Sequence, residues 1–247
     1  KEMDVIAWDC YPNPDAQPGQ VAFMHATFRG LKDGQPFLLL EQTPSSQNWQ
    51  EVNALKRPGV LRLWSYLAVA HGADSAMYFQ WRRGRGGVEK LHGAIVEHGG
   101  RSDTRVFREV SRLGAEFAAL GDRINGATTE AHVAVVFDWD NWHALEDAVG
   151  PVRDKRYHDT VSSHFAAVYA HNVAVDVVFP DSDLSRYKVV IAPMLWMVKD
   201  GFGEKIEAFV ASGGTFITTY LSGRVGETDL AFENGYPGPL SRVLGVW

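Results

Sequence analysis

Cysteine is almost missing from this chain. Cys10 is the only one in 247 residues, so no internal disulfide can form and no zinc site built from several cysteines can assemble. A single thiol fits a reducing compartment, and a cytoplasmic location is expected. An excess of positive charge is also missing. Lys and Arg number 24 against 30 Asp and Glu, for a net charge of −6, which argues against a nucleic-acid partner. No apolar run approaches the roughly 18 residues that cross a bilayer, so no membrane partner is expected. The first residues lack the features of a signal peptide: Lys1-Glu2-Met3-Asp4 leads directly into the strand-like Val5-Ile6-Ala7-Trp8. The chain reads as a piece of a longer protein whose N-terminal part precedes it.

Aromatic residues are plentiful, with 8 Trp, 8 Tyr and 13 Phe. Platforms for sugar rings are one use for such a surplus, and a large core is the other. The first half alternates strand and helix patterns. Strands are expected at 3–9, 37–41 and 75–81. Helices are expected at 20–33, in a segment opened by Pro58 and stopped by Gly72, and at 104–120 with Asp103 or Ser102 as N-cap. This alternation implies parallel pairing with right-handed crossovers. Three such units are too few to close a barrel and suit the last three of eight. A break around Asn125-Gly126 marks a boundary between domains at 1–121 and 122–247.

The second half predicts strands at 132–137, 174–179, 188–193 and 215–219, with helices at 155–171 and 202–212. That is an open doubly wound α/β pattern of the amidotransferase or flavodoxin kind. An amidotransferase needs a reactive Cys at a strand-to-helix turn. The candidate turn, Ile191-Ala192-Pro193-Met194-Leu195, has none. The apolar run Pro193-Met194-Leu195-Trp196-Met197-Val198 is a candidate partner surface; the competing expectation is that it folds back over its own sheet. Gly84-Arg85-Gly86-Gly87 lacks phosphate-loop spacing.

The run Pro36-Phe37-Leu38-Leu39-Leu40-Glu41-Gln42-Thr43-Pro44-Ser45 predicts a strand buried on both faces that delivers a carboxylate and then turns. Barrel enzymes place catalytic groups at such strand ends, although a strand-end Glu can also cap a helix. The long loop after the third strand carries acid, imidazole and guanidinium groups, among them Glu89 and His92. Loops of that kind often hold function.

Three blocks, Trp8-Asp9-Cys10-Tyr11-Pro12, Leu39-Leu40-Glu41-Gln42-Thr43-Pro44-Ser45, and Phe79-Gln80-Trp81-Arg82 with Glu89-Lys90-Leu91-His92-Gly93, resemble the family 42 glycoside hydrolases, which are β-galactosidases. The resemblance extends over nearly the whole chain, because the second half is similar to that family's trimerisation domain. It implies the C-terminal part of a TIM (β/α)8 barrel followed by an assembly domain. It also implies a retaining mechanism on β-galactosides, a homotrimer and no cofactor. Glu41 matches the family nucleophile. Trp49 and Phe79 match apolar walls around the sugar, Glu89 and His92 match groups that bind its hydroxyls, and Tyr11 borders the site. The family's acid/base is a Glu after an Asn on an earlier strand, and no such pair occurs here. The alternative is that the chain as it stands is a non-catalytic assembly or carbohydrate-binding module.

Overall fold

The structure is a computed structural model that describes residues 3–246. The chain divides into two compact units, Lys1–Thr129 and Glu130–Trp247. In the first, three parallel strands lie in the order β1 (Ala7–Asp9), β2 (Phe37–Glu41), β3 (Ala73–Ala76). Helices α1 (Pro18–Gly30) and α2 (Val60–Ala70) make the crossovers, and α3 (Arg105–Leu120) follows the long loop.

The apolar run of β2 is not buried on both faces. Phe37 and Leu39 are fully buried with Trp8, Val21, Trp64 and Ala68. Leu38 is half-buried and Leu40 is 41% exposed. Helices cover one side of this sheet, and the period of two along a strand sends alternate side chains to the other side. Each fully buried Phe or Leu contributes roughly 1.5–3 kcal/mol relative to an exposed one.

Element ends differ from the sequence expectation for local reasons. Residues 3–5 have no strand neighbour in β2, and the Met3 and Asp4 carbonyls accept from Lys32 and Gln35 side chains instead. Helix α1 starts two residues earlier than expected, with Pro18 in its first turn. Pro58 lies before α2, which starts after Gly59 in a left-handed conformation. Gly72, at φ +95°, ends that helix as expected. The strand expected at 75–81 ends at Ala76. Beyond it Met77 N–H donates to Leu39 O, and Phe79 N–H to Gln42 O, without regular pairing. Phe79 therefore lies past the strand and not at its end. The α3 N-cap is Thr104, whose hydroxyl accepts from Phe107 N–H at 3.2 Å; Asp103 pairs with Arg101 instead.

A buried polar seam joins α1 to the end of α2. His25 is 1% exposed and stands between Trp8 and Phe37, with ring centroids 5.2 and 5.6 Å away. His71 lies 6.3 Å from it, and the Arg29 guanidinium donates to the His71 carbonyl at 3.0 Å.

In the second unit β4 (Val133–Val136), β5 (Val175–Val178), β6 (Val189–Ala192) and β7 (Thr215–Thr218) form one parallel sheet in the order β5-β4-β6-β7. Helices α5 (Tyr157–Tyr169) and α6 (Phe202–Ala211) are the crossovers at the expected places, and a short α7 (Ser241–Leu244) comes last. Helix α4 (Trp139–Asp147) was not legible as a helix, because a short aromatic-rich segment gives little periodicity. The Asp138 carboxylate caps it by accepting from Asp140 N–H at 3.1 Å. Met194 sits in the strand-to-helix turn at φ +47°. Asn141 secures this turn by donating to Met194 O and accepting from Met197 N–H. The run 193–198 is not a partner surface. Met194, Leu195, Met197 and Val198 are buried, and Trp196 packs against Ala144, Met197 and Val225. It folds back over its own sheet because that sheet offers the nearest apolar cover.

Candidate active site

The ends of β1 and β2 deliver two carboxylates side by side. A register shift between Trp8 and Asp9 sets Asp9 opposite Glu41, and Cys10 N–H donates to Glu41 O at 2.8 Å. Burial first, and the neighbouring Glu41 second, push Asp9 above the usual carboxylate range. Two residues past β1, Tyr11 donates its hydroxyl to Glu41 Oε2 at 2.6 Å. Burial, and then the Glu41 carboxylate, hold the Tyr11 proton far more tightly than in water. Tyr11 is thus a fixed donor to one oxygen of Glu41, and Oε1 accepts no hydrogen bond among the described residues.

His92 is the hub of the arrangement. It is fully buried and its ring meets three aromatics: Trp49 stacks on it at 5.0 Å, while Phe79 at 5.2 Å and Tyr11 at 5.9 Å stand edge-on. Asn48 Nδ2 donates to Val88 O at 2.8 Å, which turns Asn48 Oδ1 towards His92 Nδ1 at 2.9 Å. An amide oxygen only accepts, so Nδ1 carries the ring proton and Nε2 is left as an acceptor. That Nε2 is buried and has no hydrogen-bond partner among the described residues. Burial is the largest influence on the ring and lowers its pKa, so it stays neutral.

Glu89 stands at the start of the turn that His92 N–H closes on Glu89 O at 2.9 Å. Its side chain is exposed, and its charge acts on both Tyr11 and His92. Trp49 is 54% exposed, so one face of its ring is open. All six residues singled out in the sequence, Tyr11, Glu41, Trp49, Phe79, Glu89 and His92, therefore converge. Asp9 and Asn48, which the structure sets beside them, were missed. Asp9 was findable, since it ends a strand as Glu41 does; Asn48 carries no local signal.

Gly93 makes the convergence possible. A Cβ there would lie 2.7 Å from Ser46 N and 2.9 Å from Ser46 O, both backbone atoms that cannot give way. With no side chain, Gly93 N–H reaches Ser46 O at 2.8 Å and ties the two loops together. Among the described residues no cluster of three or more His, Cys, Asp or Glu could hold a metal, and Cys10 is buried and alone.

Two family models match the chain end to end: one described as β-galactosidase over residues 1–120, the other as the β-galactosidase trimerisation domain over 131–247. The chain belongs to the family 42 β-galactosidases. β-Galactosidase BgaP of Planococcus sp. (strain L4) is 54% identical over all 247 residues, and BgaB of Geobacillus sp. (strain Y412MC61) is 47% identical over 248 aligned positions. Each alignment covers the whole chain and only 36% and 37% of the relative. The chain thus spans about a third of the length of the curated β-galactosidases it matches. The β-galactosidase structure from Bacillus circulans sp. alkalophilus superposes with a TM-score of 0.98 at 54% identity, covering 100% of this chain and 36% of that one. The three-stranded unit is accordingly the C-terminal part of a TIM barrel, and the four-stranded unit is the trimerisation domain. No helix among the described residues is long and apolar enough to cross a membrane.

Proposed function

We propose that this chain supplies the nucleophile and part of the sugar-binding wall of a retaining β-galactosidase that acts on terminal β-D-galactosides. The observation that carries the reading is the Tyr11 hydroxyl on Glu41 Oε2, beside the unpartnered Nε2 of His92. Tyr11 holds one carboxylate oxygen, so the free Oε1 attacks the anomeric carbon. The bond from that carbon to the leaving oxygen breaks as a general acid gives that oxygen a proton. Water, deprotonated by the same group, then cleaves the galactosyl-enzyme. In a retaining enzyme the two carboxyl groups stand about 5–5.5 Å apart. We assign the acid/base to residues outside this chain, since no Asn-Glu pair occurs in it. Trp49 and Phe79 offer apolar faces to the C–H side of the ring. Glu89 accepts from one hydroxyl, and His92 Nε2, which its aromatic neighbours cover in this structure, accepts from another only where the Trp49 or Tyr11 ring moves aside. The single buried thiol supports a cytoplasmic location.

A mechanism-based 2-fluoro-galactoside, incubated with a full-length protein carrying this chain, is expected to attach to Glu41. Attachment to a different carboxylate would sink the assignment. Glu89→Ala and His92→Ala are each expected to weaken transition-state binding by about 1.5–3 kcal/mol, the scale of a lost hydrogen bond to a charged or buried partner. Steady-state kinetics on a chromogenic β-galactoside reads this, and unchanged kcat/KM in both variants rejects the role.

The second unit is read as the part that drives assembly into a homotrimer. The full-length protein should scatter light as about three protomers. A strictly monomeric mass at micromolar concentration contradicts the reading.

A further inference from the structure

Lys56, in the loop between β2 and α2, is 4% exposed. Among the described residues its ammonium makes one hydrogen bond, to the Thr43 carbonyl, and no carboxylate pairs with it. Its charge acts on the Cys10 thiol just past β1 and on His92, while its own carbonyl accepts from Arg105 on α3 at 2.9 Å. A buried ammonium without a carboxylate partner opposes folding, which asks what else Lys56 does here. Burial lowers its pKa to about 8, against a smaller upward pull from the Cys10 thiol.

The contacts form a continuous path. Thr43, two residues after Glu41, is fully buried, and its hydroxyl donates to Ser46 O at 3.1 Å and accepts from Ser45 N–H at 3.3 Å. Ser46 O also takes the Gly93 N–H, and Gly93 follows His92. Resting on the galactosidase reading above, we propose that Lys56 is a positioning residue: its ammonium clamps the Thr43 carbonyl, holds the 43–46 turn against Gly93, and so sets the place of His92 relative to Glu41.

The test is Lys56→Met in a full-length protein carrying this chain, read in two ways. Amide hydrogen exchange reports the clamp whether or not the protein is active. The Gly93 N–H should lose protection on the order of tenfold or more, while the amides of β2 keep theirs. In kinetics, kcat/KM on a chromogenic galactoside should fall on the order of 10- to 100-fold, the scale of a displaced binding group. Most of that loss should vanish in a His92→Ala background, because both changes act on the same group. A purely structural lysine would give a loss that adds to that of His92→Ala. Should Lys56→Met not fold, Thr43→Val is read instead: it leaves Lys56 in place but removes the hydroxyl that donates to Ser46 O at 3.1 Å, and the Gly93 N–H should again lose protection while the amides of β2 keep theirs. Unchanged Gly93 protection, or additive kinetic losses, overturns the proposal. Absence of galactosidase activity in the unmodified protein overturns the functional reading alone and leaves the exchange result to judge Lys56.

Discussion

Glu41→Gln, introduced into a full-length protein carrying this chain, is expected to lower β-galactoside turnover by a factor on the order of 10⁴ or more. The amide is nearly isosteric and keeps an oxygen for the Tyr11 hydroxyl, which donates to Oε2 at 2.6 Å. Packing should hold, because the side chain lies at the open end of β2 and the buried anchors are Phe37 and Leu39. What is lost is the anion. A neutral amide cannot form the glycosyl ester, so the proposed covalent route closes while the contacts proposed for His92 and Trp49 remain. Melting temperature and oligomer mass should match the unmodified protein, and substrate should still bind. A variant that keeps more than about a tenth of the turnover would exclude Glu41 as nucleophile, since losses of a mere positioning group are typically of that smaller scale.

The second large effect concerns acid. His25 and His71 are buried, and burial drives both pKa values down from 6.5, to about 3 and about 4. Their neighbours push the same way: His71 and Arg29 act on His25, and Arg29 on His71. Both rings are neutral in the fold and titrate normally once unfolded. Below pH 6.5 the unfolded chain therefore binds more protons, and stability falls as pH drops towards 4 and 3. Each ring contributes about 1.4 kcal/mol per pH unit. Between 6.5 and 4 the two together remove roughly 5–6 kcal/mol, comparable to the whole stability of a small domain. Thermal melts of this chain should show a steep loss over that window. His25→Phe, filling the space between Trp8 and Phe37, should remove about half of the slope. Equal slopes in both proteins would refute the assignment.

Local pattern and distant contact divide the information in this protein. Runs such as Phe37 to Leu40 and Val133 to Val136 read as strands from their composition alone, because backbone geometry and side-chain branching act between near neighbours. The same runs set the parallel α/β order, since alternating strands and helices leave few connections. Glu41 stood out as a candidate carboxylate for the same reason: it ends a strand and a turn follows at once. Its partner Tyr11 lies 30 residues away in sequence, Asn48 stands 44 from His92, and no periodicity links them. Which face of β2 is buried was decided by where α1 and α2 lie, as was the neutral state of His25 and His71. The run 193–198 looked like a partner surface on hydrophobicity alone, yet the sheet above it claimed those side chains first. Sequence set the elements and the chemistry at their ends. The distances, protonation states and buried cations came only from chain segments brought together across long loops, where burial energy depends on what arrives from elsewhere.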